Sequence, residues 1–171
     1  MEVSIFNEST ALPFSGFDFK PLHPGVQMGM ETPLKTTPDH KTFISMNIAF
    51  TFHKELFQAV SLNLTLGHDI KMDMGVSLKG GLGVGYTHTF NVNEAYRFSH
   101  GEYRKTNDSG NSRFTPSISL GLGYRFDPND FESTEVFIQR QYWLEIPYSP
   151  GFIPLMSHTN SSIGLKLYPY P

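Results

Sequence analysis

Two stretches in the middle of the chain, residues 76–90 and 117–126, alternate between apolar side chains and small or polar ones. The apolar positions are Val76, Leu78, Leu82, Val84 and Tyr86 in the first stretch and Ile118, Leu120, Leu122, Tyr124 and Phe126 in the second. Alternation of this kind is typical of β-strands whose two faces meet different surroundings. Serine, glycine and a few long charged side chains could not form a soluble core, but they can line a narrow barrel. The pattern therefore predicts strands whose apolar face meets lipid.

The same alternation recurs along the chain, with turn-forming residues between the segments. It predicts strands over residues 2–6, 24–33, 42–53, 59–72, 76–90, 117–126, 134–147 and 156–168. The predicted fold is all-β: an eight-stranded antiparallel up-and-down transmembrane β-barrel that forms one domain over residues 1–171. The long segments 7–23, 91–113 and 148–155 then share one end of the barrel, and shorter turns share the end with the termini. Because Arg140 falls on the lipid side of the seventh strand, we expect a bulge or a slipped register there.

Composition narrows the possible functions. No run of about 18 apolar residues occurs, so no transmembrane helix is predicted. A formal charge of −3 leaves no broad basic surface, and we expect no nucleic-acid partner. The absence of cysteine excludes disulfides, thiolate metal sites and a cysteine nucleophile. Residues 1–10 carry neither a basic start nor an apolar core, so we expect a mature chain from which a signal peptide has been removed.

Three segments carry a resemblance to known proteins: Leu22-His-Pro-Gly-Val26, Leu120-Gly-Leu-Gly-Tyr124 and Ile163-Gly-Leu-Lys-Leu-Tyr168. Together with the strand pattern, they resemble small outer-membrane β-barrel proteins of bacteria, especially the Bacteroidetes type. The resemblance implies a location in the bacterial outer membrane. For such a barrel we expect a structural or interaction role, as an accessory subunit or a surface-binding protein. The expected partners are outer-membrane lipid or lipopolysaccharide, and other outer-membrane proteins.

Charged residues on the predicted inward faces form the main candidate constellation. It comprises Glu31, Asp69, Lys71, Lys79, Arg125, Glu145, His158 and Lys166. An eight-stranded barrel has an interior that side chains can fill, and an unpaired buried charge costs several kcal/mol. We therefore expect these groups to pair in a polar network. A narrow pore for small or apolar molecules is the alternative.

The polar segment between the fifth and sixth predicted strands is the candidate for contacts outside the membrane. Its aromatic and basic residues are Tyr96, Arg97, Phe98, Tyr103 and Arg104. Aromatic and arginine side chains are common anchors of protein interfaces. The seven histidines are dispersed without the short spacings of a metal site, so neither a metal nor a cofactor is expected.

Two further functions stay open at this level. Some eight-stranded outer-membrane barrels are lipid A deacylases with a Ser/His/acid set, and here His158 with Ser161 or Ser162 would be the candidates. The order of these residues departs from the His-x-Ser-Asn order found in those enzymes. We therefore expect no enzyme activity. A soluble lipocalin-like carrier is the alternative fold, because periodicity shows that two faces differ but not which one points inward.

Overall fold

The protein is a closed antiparallel sheet. The computed structural model describes residues 1–10, 22–53, 57–91, 95–99, 101–106, 110–148 and 153–168. In these residues the strands are β1 (Glu2–Ser9), β2 (His23–Thr36), β3 (His40–Phe52), β4 (Phe57–Lys71), β5 (Val76–Asn91), β6 (Ala95–Ser99), β7 (Glu102–Thr106), β8 (Asn111–Phe114), β9 (Ser117–Arg125), β10 (Glu135–Glu145) and β11 (Met156–Lys166). No helix of the described residues is long and apolar enough to cross a membrane.

Eight of these strands form the barrel wall. They follow one another as β1, β2, β3, β4, β5, β9, β10 and β11, and the antiparallel pairing of β11 with β1 closes the ring. The predicted eight-stranded up-and-down barrel is therefore confirmed. Strand β8 continues β9, because both pair with β5 in one register and only Thr115 and Pro116 separate them.

The chain ends and the connections sort to the two ends of the barrel as predicted. The short turns 37–39, 72–75 and 126–134 lie at the end where β1 starts and β11 stops. We call this the terminal end and the opposite one the outer end. The interval 91–113 contains the hairpin of β6 and β7 and the strand β8, whereas the sequence predicted a loop. The polar residues of this interval do not alternate with apolar ones, so the sequence did not predict these strands. Strands beyond the membrane need no apolar face.

The predicted irregularity in the seventh strand is wrong. Strand β10 pairs without a shift with both neighbours, and Arg140 lies opposite Leu120 on β9 and Ser161 on β11. The register shift lies instead in β2, between Pro33 and Lys35. Proline lacks the backbone N–H that a sheet ladder uses, which explains a bulge at that point.

Side-chain exposure on the two faces of the barrel wall shows that the apolar face points outward. Exposed large hydrophobic side chains point outward on every barrel strand, for example Ile5, Met28, Ile48, Leu64, Leu82, Leu122, Ile138 and Ile163. Inward positions carry buried polar groups such as Ser45, Asn47, Ser77 and Thr87. A lipocalin-like carrier requires the opposite arrangement, so that alternative is wrong.

Inward glycines make room for aromatic rings on the neighbouring strand. Phe43 lies opposite Gly67 in the β3–β4 pair, and a Cβ at Gly67 would sit 2.3 Å from the ring. Phe6 with Gly25 and Phe137 with Gly164 repeat the arrangement. The rings come from adjacent strands, where the pairing register brings them over the glycines.

We predict opposite effects of alanine at two glycines of neighbouring strands. Gly67→Ala should lower the free energy of unfolding by about 1–3 kcal/mol, because its methyl group overlaps the Phe43 ring. Gly80→Ala, on the outward face, meets only Leu120 at 3.9 Å and should be neutral or slightly stabilising. Urea titration of vesicle-embedded protein, followed by fluorescence of the single tryptophan, measures both values. Equal effects would contradict the inward position of Gly67.

Candidate functional site: the charged lumen and the outer wall

A first group of ion pairs lies in the terminal end of the lumen. Arg125, fully buried, binds Asp69 and lies 3.2 Å from Glu135. The ammonium group of Lys79 lies 2.5 Å from Glu135 and 3.6 Å from Asp69. The Ser77 hydroxyl donates a further hydrogen bond to Glu135 at 3.1 Å. Two carboxylates and two cations therefore neutralise each other here.

A second group lies beside the first. Lys166 binds Glu31 and lies 3.4 Å from Glu2, and Lys41 lies 2.7 Å from Glu31. Lys41 also donates to the Tyr168 hydroxyl at 2.8 Å. Burial, and after it the Glu31 carboxylate, raises the pKa of the Tyr168 phenol, which keeps this group a neutral donor and acceptor. With both groups counted, four carboxylates and four cations occupy this end.

Phenylalanine rings cover the cations of the terminal end. Phe131, from the turn between β9 and β10, is buried with its ring 4.8 Å from the Arg125 guanidinium and 5.5 Å from Lys41. Lys71 lies 4.9 Å from the same ring. Contacts of this kind are attractive because the face of an aromatic ring carries negative charge. Phe131 therefore closes the terminal end over the ion pairs.

A small cavity of about 30 Å³ lies above the ion pairs of the terminal end. Uncharged side chains such as Ser45, Asn47 and Gln139 line it together with the charged Glu2, Lys79 and Lys166. A second cavity of about 20 Å³ lies among Thr51, Thr87 and Thr115. One water molecule needs about 10–15 Å³ of such space, so these cavities have room for only a few water molecules.

A third charged group occupies the outer end. The two ring nitrogens of His158 lie 2.7 Å from Glu8 and 3.3 Å from Glu145, and Arg113 also binds Glu145. Carboxylates only accept hydrogen bonds, so this geometry suits a doubly protonated imidazole that balances one of the two acids. The Trp143 ring stacks on His158 at 4.2 Å.

Of the eight charged residues that the sequence predicted to face the lumen, all but one lie in the three charged groups. Seven lie in these three groups: Glu31, Asp69, Lys79, Arg125, Glu145, His158 and Lys166. Lys71 instead lies at the terminal mouth against Phe131. Sequence reasoning missed Glu2, Glu8, Lys41, Arg113 and Glu135. Glu8, Lys41 and Arg113 lie just beyond the predicted strands, so extending the alternation by a few residues would have found them. Glu2 and Glu135 lie inside the ends of predicted strands, where the alternation could already have assigned them inward.

The hydrolase candidates do not meet. His158 points into the lumen toward Glu8 and Glu145, whereas Ser161 lies on the outward face of β11. Ser162 points inward and donates to the backbone oxygen of Gln139 at 3.1 Å. Among the described residues, no group of three or more His, Asp or Glu side chains is placed to hold a metal ion.

Arg140 breaks the apolar outer wall. It lies in the middle of β10, half-buried between outward Ile138 and Tyr142, with its guanidinium 5.4 Å from the Tyr142 ring. Its cross-strand neighbours are Leu120 on β9 and Ser161 on β11. The adjacent Tyr142 is only 9% exposed, so the outward face of β10 is covered beside Arg140.

The external candidates lie on the hairpin of β6 and β7, at the outer end. Tyr96, Arg97 and Phe98 belong to β6, and Tyr103 and Arg104 belong to β7. Arg97 lies opposite Arg104, and Phe98 lies opposite Tyr103.

We predict that Arg125→Leu is strongly destabilising. The change leaves Asp69 and Glu135 with half of their compensating charge in a buried site, which costs about 3–5 kcal/mol. Lys35→Leu, at an exposed position near the end of β2, is the control and should change stability by less than about 0.5 kcal/mol. Urea unfolding in vesicles, followed by Trp143 fluorescence, measures both. Similar values for the two variants would contradict the ion-pair assignment.

Comparison with solved structures identifies proteins of the same fold. Neisserial surface protein A matches with a TM-score of 0.60 and 9% identity over 98% of this chain and 93% of that one. The outer membrane enzyme PagL matches with a TM-score of 0.53 and 10% identity over 98% and 99%. The Yersinia pestis outer membrane protein Ail gives 0.39 and 13% over 95% and 97%. No protein-family model and no curated protein matches the chain. The chain thus has the eight-stranded barrel fold of small outer-membrane proteins.

Proposed function

We propose that the protein is an integral outer-membrane barrel with a structural or interaction role, as an accessory subunit or a surface-binding protein. The observation that carries this proposal is the filled lumen. Ion pairs occupy both ends, and the small cavities of the lumen have room for only a few water molecules. The outer wall and the β6–β7 hairpin are then the surfaces left for partners.

The outward apolar belt supports a location in lipid, and the fold supports the outer membrane in particular. The proposal includes export with removal of a signal peptide. It also includes the Bacteroidetes-type origin that the sequence resemblance implies, which rests on the sequence pattern alone.

Lipopolysaccharide is the partner that suits the hairpin. Residues 95–106 carry three cationic side chains, Arg97, Arg104 and Lys105, against the single acidic Glu102. The chain as a whole is acidic, so this local excess of positive charge is a distinct feature. Phosphate groups accept two hydrogen bonds from a guanidinium, so an arginine-containing segment suits this ligand. Other outer-membrane proteins are the second class of partner in the proposal.

The proposal assigns neither transport nor hydrolysis. A conducting path would have to pass Arg125, Asp69 and Phe131 at the terminal end, all of them buried. A hydrolase built on His158 would need a serine within hydrogen-bond reach of its ring. Ser161 lies on the opposite face of β11, and Ser162 donates to the backbone oxygen of Gln139 while His158 contacts Glu8 and Glu145. The apolar outer wall and the hairpin therefore carry the proposed role.

We predict that the exported protein is found in the outer membrane as a heat-modifiable band, folded in unboiled gel samples and shifted after boiling. Reconstituted in planar bilayers, it should show no discrete conductance steps, since side chains fill its lumen. A soluble product would overturn the membrane assignment. Steady single-channel steps would instead favour the pore and exclude the filled lumen as the native state.

We predict that the hairpin arginines bind lipopolysaccharide phosphate. Arg97→Gln with Arg104→Gln should weaken binding to purified lipopolysaccharide about tenfold, which corresponds to about 1.4 kcal/mol. The difference should shrink at high salt, because exposed charges are screened. Lys35→Gln at the terminal end is the control and should bind like the unsubstituted protein. Equal affinity of the double variant and the control would contradict the assignment.

A further inference from the structure

Two histidines on neighbouring strands lie side by side on the outward face at the terminal end. His40 is the first residue of β3, and His68 lies near the end of β4. In the β3–β4 register His40 is opposite Ile70 and His68 is opposite Thr42, so the histidines are diagonal neighbours. Both side chains are exposed, and Nε2 of His68 lies 3.4 Å from Nδ1 of His40. We call His40 and His68 the histidine pair.

The sequence gives no sign of the histidine pair. Its two members are 28 residues apart along the chain, so no short spacing of metal-ligand type marks them. The hairpin of β3 and β4 brings them together, because its register places the end of one strand against the start of the other.

The distance between the two nitrogens matches the geometry of one tetrahedral zinc ion. Zn–N bonds measure about 2.0–2.1 Å, and at the tetrahedral angle they place two nitrogens about 3.3–3.4 Å apart. At a right angle, as in the square-planar sites typical of Cu²⁺, the same bond lengths give only about 2.8–3.0 Å. The ring centroids lie 5.5 Å apart, farther than the nitrogens, so the two nitrogens lie on the facing edges of the rings.

A direct hydrogen bond between the rings fits this distance less well. N–H donors usually lie about 2.7–3.2 Å from their acceptors, and the observed 3.4 Å is longer than that range. The separation is therefore long for two nitrogens that share a proton and suitable for two nitrogens that share a metal ion.

Thr42 orients one ring of the histidine pair. Its hydroxyl lies 3.0 Å from Nδ1 of His68. When the Nδ1–H group of His68 donates to this hydroxyl, Nε2 carries the lone pair and faces His40. Metal-ligating histidines commonly donate their second ring N–H to such a partner, which fixes both the tautomer and the ring orientation.

The surroundings of the histidine pair leave room for a cation and for water. The charged chain neighbours Lys41 and Asp69 are buried on the lumen side of their strands. Lys35 on β2 is opposite Thr42 and is exposed, so its long side chain can keep the ammonium group in water. Because both histidines are exposed, water can supply the remaining ligands of a four-coordinate ion.

We propose that His40 and His68 bind one zinc ion at the terminal end of the barrel, with water as the other ligands and Thr42 as a positioning residue. The ion joins β3 to β4 across their outward face. Structural and catalytic zinc sites have three or four protein ligands, so a site with two binds zinc reversibly. The site lies outside the lumen and the hairpin, and it is independent of the role proposed above.

Zinc titration of the untagged, folded barrel in detergent tests the site. After removal of metal with a chelator and removal of the chelator itself, isothermal titration with zinc chloride should show one site per chain. His40→Ala and His68→Ala should each raise the dissociation constant at least tenfold, because each removes one of two protein ligands. The double variant should bind no more weakly than either single variant, since either loss already destroys the shared site. His88→Ala, near the outer end of β5, is the control and should bind like the unsubstituted protein.

Thr42→Val keeps the size of the side chain and removes its hydroxyl, and it should raise the dissociation constant about tenfold. Thr42→Ser keeps the hydroxyl and should restore binding, which a purely structural role of Thr42 would not explain. No binding up to millimolar zinc, an unchanged dissociation constant in either histidine variant, or an equal loss in His88→Ala would each overturn the proposal. Heat modification on gels shows whether each variant has folded. A folded barrel without zinc binding would therefore reject the zinc site and leave the proposed outer-membrane role intact.

Discussion

Closure of the sheet between β1 and β11 is the constraint on which the rest of the structure depends. A strand edge that faces hydrocarbon leaves backbone N–H and C=O groups without partners, so a lipid-embedded sheet must close. Here eight register pairs join the two strands, from Glu2 with Lys166 to Ser9 with Thr159. The terminal amino group adds a bond to the Leu167 oxygen at 2.7 Å. Closure with eight strands also fixes the lumen at a width that side chains fill.

The outer wall of the barrel is apolar, so the charged side chains of the strands are buried in the lumen. Burial there is tolerated because the carboxylates and the cations compensate each other. Four carboxylates meet four cations at the terminal end, and Glu8 and Glu145 meet Arg113 and His158 at the outer end. Several pairs tie strands that share no backbone bonds. Arg125 on β9 reaches Asp69 on β4, and Lys166 on β11 reaches Glu31 on β2. These ion pairs fix the relative positions of strands that are not joined by backbone hydrogen bonds.

The alternation of side chains was sufficient to predict the barrel, its eight strands and most of its lumen charges. The period of two residues depends only on strand geometry, so Lys79 and Arg125 could be assigned inward without knowing their partners. The alternation did not predict strands or buried charges at places where the two faces of a strand have similar surroundings. Strands β6 and β7 stand outside lipid, and neither face of them needs to be apolar. Glu2, Lys41 and Glu135 lie at strand ends, where no apolar neighbour on the far side marks the strand.

Arg140 shows what the pattern can and cannot reveal. A charge on the lipid side of a strand has two explanations: a bulge that turns it inward, or a surface that has a use for it. The sequence alone favoured the bulge, because bulges are common and the register was unknown. Regular pairing of β10 with both Leu120 and Ser161 removes that explanation. Arg140 is half-buried, and the adjacent Tyr142 is only 9% exposed, so this part of the outward face is covered. Alternation therefore assigns a side chain to one face of a strand, but only the structure shows whether that face is open to lipid at a given residue.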